Sequence, residues 1–140
     1  MKLKNFEELL ARGHLFEQWC IVELESNGFH CIGTSDTAVP DLNFKEGFFV
    51  EAKCKEDMLY YPKYSGFDLK HLPTYLSRNT FLMFMQPSEG VPFGQWLEPL
   101  YTAGKYKIID TSEGPIIVFH RDTMRYDYIR AIRERLGDWD

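Results

Sequence analysis

A nearly unbroken apolar run, Thr80-Phe81-Leu82-Met83-Phe84-Met85-Gln86, lies past the middle of the chain. A strand of that composition has no polar face to turn toward water. It must be covered on both sides, as the central strand of a layered sheet is. It is far too short to span a bilayer, which takes about 20 apolar residues in a helix, and nothing in the chain reaches that length. The flanking segments therefore have to supply the cover.

A helix is expected over Phe6–Ser26, with Asn5 as its N-cap and Gly28 just past its end. Short strands follow near Phe29–Gly33, Val39–Phe44 and Phe48–Lys55. The stretch Tyr60-Tyr61-Pro62-Lys63-Tyr64 reads as irregular and leads to a helical piece at Leu69–Arg78, where Pro73 either interrupts the helix or marks its first turn. Pro87–Pro99 holds three prolines and two glycines, the composition of a long surface loop. Strands near Tyr106–Asp110 and Pro115–His120 come next, then a closing helix at Asp122–Leu136 with Met124, Tyr128, Ala131 and Ile132 on one face. The order αβββαβββα describes a mixed central β-sheet flanked by helices, an α/β (α+β) class, and residues 1–140 show no repeat or linker that would divide them.

Net charge is −5, which argues against a protein that coats nucleic acid with its whole surface, because such a surface is strongly basic. An enzyme with an acidic metal site and a local basic rim remains compatible with that charge. Cys20, Cys31 and Cys54 are odd in number and form no CxxC pair, so buried thiols in a reducing cytoplasm fit better than a disulfide framework or a structural zinc site. The first residues lack the apolar core of a secretory signal. A cytoplasmic protein without membrane association is expected.

The chemistry concentrates in Pro40-Asp41-Leu42-Asn43-Phe44-Lys45-Glu46-Gly47-Phe48-Phe49-Val50-Glu51-Ala52-Lys53. Lys45-Glu46-Gly47 suits a three-residue hairpin loop, with Gly47 in the left-handed position that closes it. Phe44 then pairs with Phe48, and the same register sets Asp41 opposite Glu51. Cross-strand neighbours have Cβ atoms roughly 4.5–5.5 Å apart, and like charges so placed repel. Alternation puts Lys53 on the face of Glu51 and sends Val50, Ala52 and Cys54 to the other. Two opposed carboxylates beside one lysine call for a cation, and hard oxygen donors favour Mg²⁺ or Mn²⁺. The ordinary alternative is a solvated hairpin face with weak surface ion pairs.

The first helix adds a third carboxylate. At about 100° per residue, Phe6, Leu9, Leu10, Gly13, Cys20, Ile21 and Leu24 share one face, and Glu17 falls near its middle. A buried acid is costly unless paired or bound to a metal, so Glu17 either meets a cation or reaches the edge of the stripe.

These residues resemble the PD-(D/E)XK nuclease superfamily. The likeness runs from Gly13-His14-Leu15-Phe16-Glu17 through Pro40-Asp41 and Glu51-Ala52-Lys53 to the helix and apolar strand ending at Met85. It implies a restriction-endonuclease-like core and a metal-dependent endonuclease that hydrolyses DNA phosphodiesters, leaving a 5′-phosphate. It also implies that Asp41, Glu51 and the Ala52 carbonyl hold Mg²⁺ (or Mn²⁺). Glu17 would touch the same ion, a second one or a bound water, and Lys53 would orient the attacking water and steady the phosphate. Family members often carry a polar residue on the helix after the third strand, a place for Lys70 or His71. With Lys55 and Lys63 these are the candidate nucleic-acid contacts.

The tyrosine-rich loop around Lys63 suits stacking on unpaired bases, or simply packs on the core. His14, His30, His71 and His120 lack any zinc-enzyme spacing. Trp96 either contacts a partner or covers the core. Two rivals stand beside the enzyme: a non-catalytic nucleic-acid-binding or assembly module with this fold, and an unrelated interaction protein with an acidic hairpin. Cleavage of DNA junctions would favour a homodimer with two sites, although no dimerisation segment is visible.

Overall fold

Helix α1 (Phe6–Ser26) has the bounds expected of it and stops for a backbone reason. Gly28 adopts φ 93°, and this lets the Phe29 and Gly28 amides donate to the Leu24 and Glu25 carbonyls at 3.1 Å each. Only a residue without a Cβ takes that conformation at little cost. The fold comes from a computed structural model that describes residues 6–34, 40–58 and 60–137, with side chains from residue 13 onward. Asn5 as N-cap, the first strand residue Val39, and the side chains of Phe6, Leu9 and Leu10 lie outside the described residues.

Strands β1 (Cys31–Thr34), β2 (Leu42–Phe44) and β3 (Phe48–Cys54) form an antiparallel meander. The chain then makes β4 (Tyr64–Asp68), a 3₁₀ turn at Leu69–His71 and helix α2 (Leu72–Ser77), with Pro73 in its first turn, where a missing N–H costs nothing. It returns as β5 (Thr80–Met85), parallel to β3, with Glu51 beside Leu82 and Lys53 beside Phe84. Strand β6 (Phe93–Trp96) pairs antiparallel with β5, and helix α3 (Leu97–Thr102) follows it directly. The hairpin β7 (Lys107–Thr111) and β8 (Gly114–His120) and helix α4 (Tyr128–Leu136) complete the order.

Among the described residues the strands make two sheets, a mixed five-stranded one ordered β1-β2-β3-β5-β6 and an antiparallel three-stranded one ordered β4-β8-β7. The mixed sheet flanked by helices agrees with the expected α/β class. Strand β5 is buried along both faces, as its composition demanded. Phe81 and Met83 join Phe16, Cys20, Leu24, Val50, Ala131 and Ile132 beneath α1 and α4. Leu82 and Phe84 face the opposite way, into a second cluster with Tyr75, Leu97, Leu100 and Phe119 from α2, α3 and the small sheet.

The order αβββαβββα lacks three of these elements: β4, β6 and α3. Pro87–Pro99 is not a surface loop throughout. Phe93, Trp96, Leu97 and Leu100 are buried, and the Trp96 indole donates to the Ala131 carbonyl at 2.9 Å, so Trp96 is a core residue. Pro99 is accommodated because it stands in the first turn of α3. The closing helix starts at Tyr128 instead of Asp122. Arg125 and Gly94 exchange both main-chain hydrogen bonds, 2.8 and 2.9 Å, and this holds Arg125 extended against β6, where it cannot continue a helix. Met124 accordingly joins the second cluster, apart from Ala131 and Ile132. Among the described residues, no helix is long and apolar enough to cross a membrane.

Candidate active site

The hairpin has the expected register. Leu42 pairs with Val50, Asn43 with Phe49 and Phe44 with Phe48, with Gly47 at φ 95° closing the turn. Strand β2 ends at Leu42, and Asp41 sits in the bend just before it, beside the proline that cannot donate to a ladder. One step beyond the last pair, the Asp41 side chain takes over from the main chain: its Oδ2 accepts the Ala52 amide at 3.0 Å. That bond fixes the carboxylate over β3 at the level of Glu51.

Val50 and Ala52 point into the cluster beneath α1, so Glu51 and Lys53 point to the other face of the sheet. Glu51 is 1% exposed, whereas the Lys53 side chain is 45% exposed and brings Nζ to 3.4 Å from Glu51 Oε2. Burial, and then the Asp41 charge, push the Glu51 carboxyl up from 4.5 to about 8, against the pull of Lys53 and of the Tyr75 hydroxyl. Tyr75 is itself buried, and the Glu51 charge adds to the burial that raises its own pKa. Glu51 Oε1 is buried without a hydrogen-bond partner of good geometry, even with that hydroxyl nearby. A carboxyl in this setting holds its proton at neutral pH and gives it up when positive charge arrives beside it.

Of the sequence-predicted residues, Asp41, Glu51, Ala52 and Lys53 are brought together. Glu17 is half-buried at the edge of the α1 stripe, whose centre runs through Phe16, Cys20 and Leu24. The stripe is rolled relative to the expected face because Phe16, and not Glu17, packs inward. Glu17 and Asp41 both act on the buried Cys20 thiol, whose pKa is raised chiefly by burial and further by their charges. Even so, among the described residues no three His, Cys, Asp or Glu side chains gather closely enough to hold a metal ion.

Lys55 lies just past the end of β3, exposed and near Lys53. Lys63 is exposed at the start of β4, in a left-handed turn (φ 64°) pinned by Asp57. Lys70 is exposed on the 3₁₀ turn, whereas His71 is half-buried and stacks on the Tyr75 ring with centroids 5.6 Å apart. Of the three cysteines only Cys20 is buried as expected, Cys31 and Cys54 being half-buried, and none is in a disulfide.

Sequence reasoning missed Tyr75 and Asp68. Leu72, Tyr75 and Leu76 have the spacing of a core stripe, which hides a hydroxyl aimed at a carboxylate. Asp68 ends β4 and contributes to the field at Tyr75, a role visible only once β4 is placed. No protein-family model matches this chain, and no curated protein does.

Proposed function

We propose that the protein is a metal-dependent endonuclease that hydrolyses DNA phosphodiester bonds, built on a restriction-endonuclease-like core of the PD-(D/E)XK kind. The run of helix α1, antiparallel β1-β2-β3, helix α2 and parallel β5 supports this reading of the fold. The observation that carries the function is Glu51: a carboxyl buried to 1% exposure, opposite Asp41, with Lys53 beside it and one oxygen unpartnered. A structural role would be served better by an apolar side chain, since an ionisable group in that place costs several kcal/mol unless something offsets it.

The donor set fits a hard divalent cation. Asp41, Glu51 and the Ala52 carbonyl would hold Mg²⁺ or Mn²⁺, while Glu17, half-buried on α1, stands outside this group. When bound, such an ion makes water a competent nucleophile at neutral pH and offsets charge growing on the phosphate oxygens. The chain's own residues do the rest. The Ala52 amide keeps the Asp41 carboxylate turned toward Glu51. Lys53 holds Glu51 from the solvent side, and the buried Tyr75 hydroxyl acts on it from within. The Lys53 ammonium, half in solvent, meets the phosphate as it enters and steadies the negative charge that develops during cleavage.

The test is cleavage of plasmid and branched DNA with Mg²⁺, Mn²⁺ or EDTA, beside Asp41→Ala and Lys53→Ala. Metal-dependent cutting is expected, lowered at least a hundred-fold by either substitution, in line with the loss of a single charge-stabilising group. A second reading, a non-catalytic nucleic-acid-binding module with this fold, is favoured by the lack of a three-carboxylate cluster among the described residues. A folded wild type inert on every DNA and RNA tried would select it.

A further inference from the structure

Helix α1 carries apolar side chains on two sides. Phe16, Cys20 and Leu24 are buried in the cluster beneath it. On the side turned to solvent, Leu15, Trp19 and Val22 are 68%, 39% and 64% exposed. A helix that is apolar all round belongs to an interior, and a contiguous apolar patch left at the surface marks a contact with another molecule. The spacing of four residues and then three aligns these side chains in one seam, as in helices that pack in pairs. Between His14 and Glu25, about 16 Å apart along the axis, every exposed residue of α1 is uncharged: Leu15, Gln18, Trp19 and Val22. On a chain of which 26% is charged, a patch without charge and with a tryptophan at its centre has the composition of an interface core. Trp19 is already held in place. Its ring stacks on Phe16 at 6.0 Å and meets Tyr128 edge-on at 6.4 Å, so covering it costs little side-chain freedom.

We propose that this face joins two copies of the chain, α1 against α1 and antiparallel, about a two-fold axis that passes between Gln18 and Trp19. The seam is complementary to itself, as a contact between identical faces requires. In this register Leu15 of one copy lies level with Val22 of the other, and the two Trp19 indoles meet at the axis. At 100° per residue, His14 and Glu25 stand about 20° apart on the same flank of the seam. The axis keeps that flank on the same side in both copies. His14 of each copy therefore comes beside Glu25 of the other, within about 3 Å of the same level, and sets an imidazole N–H against a carboxylate.

Size limits the strength of the contact. A seam of about three turns, one helix wide, is smaller than a standard interface of about 1,600 Å², so the dissociation constant should fall roughly between 1 and 100 µM. Val50 and Ala52 point toward α1 and Glu51 away from it, so pairing leaves the Glu51–Lys53 face of each copy open. The inference goes beyond the nuclease reading and holds whether or not DNA is cut.

Sedimentation equilibrium of the full chain, at loadings from about 1 to about 500 µM so as to bracket that constant, tests the contact. A monomer–dimer equilibrium is expected. Leu15→Glu and Val22→Glu each place a charge in the seam and should weaken it at least about ten-fold. Both side chains face solvent in the single chain, and thermal melts would show that the variants fold. Ile32→Glu, an equally exposed apolar position on β1 outside the seam, should leave the constant unchanged. His14→Glu and Glu25→Lys should each weaken the dimer a few-fold, and the two together should restore it, because each then meets an opposite charge across the axis. A chain that stays monomeric over the whole range overturns the proposal, as does a dimer that Leu15→Glu and Val22→Glu leave intact. Charge exchange without rescue overturns the antiparallel register, and the proposal with it.

Discussion

Replacing Glu51 with Gln keeps the shape of the side chain and removes its titration, which turns the environment of this carboxyl into a measurable stability. Folding raises the Glu51 carboxyl from 4.5 to about 8, so between those values the folded chain holds a proton that the unfolded chain has lost. Stability from this group is fully present below pH 4.5 and is lost as pH climbs toward 8. At about 1.4 kcal/mol per unit, going from pH 5 to pH 7 should cost the wild type about 2 to 3 kcal/mol. For a domain of this size that is a fall of roughly 10 °C in Tm relative to Glu51→Gln. The assay is thermal or urea unfolding of both proteins in EDTA from pH 5 to 8, taking the difference at each pH so that titrating groups remote from Glu51 cancel and what remains belongs to Glu51 and the groups coupled to it. If the two curves run parallel across that range, Glu51 ionises in the fold as freely as in the open chain, and the argument from its burial fails.

The same proton should compete with a metal. Saturating Mg²⁺ is expected to raise the wild-type Tm more at pH 8 than at pH 6, because ligands bind as deprotonated groups, and the gain should disappear in Asp41→Asn when followed by calorimetry. Gly94→Ala tests the buried place of β6. A Cβ there would meet the Leu82 carbonyl and the Phe81 ring, so a loss above about 2 kcal/mol in urea unfolding is expected, where a glycine in a surface loop would tolerate the change.

The hairpin shows how far local chemistry reaches. Gly47, the three-residue loop and the pairing of Phe44 with Phe48 are decided within a few residues, so the position of Asp41 against Glu51 is legible in the amino-acid order itself. The same holds for the bounds of α1, where Gly28 ends the helix, and for the double burial of β5, where no residue from Phe81 to Phe84 can face water. Glu17 marks the limit. Periodicity tells which residues share a helical face, but the roll of α1 onto the sheet is chosen by packing, and packing prefers Phe16.

Strands β4 and β6, helix α3 and the split into two sheets belong to tertiary structure alone. Proline and glycine between positions 87 and 99 carry the local signature of a loop, and that signature is overruled by distant contacts: Gly94 closing on β5, Arg125 exchanging main-chain hydrogen bonds with it, and the Trp96 indole reaching Ala131. Tyr75 reads in one dimension as one more apolar residue of a short helix. Only when α2 packs beside β5, the neighbour of β3, does Tyr75 come close enough to act on Glu51, because that approach depends on how the chain folds back over itself and not on any spacing within it.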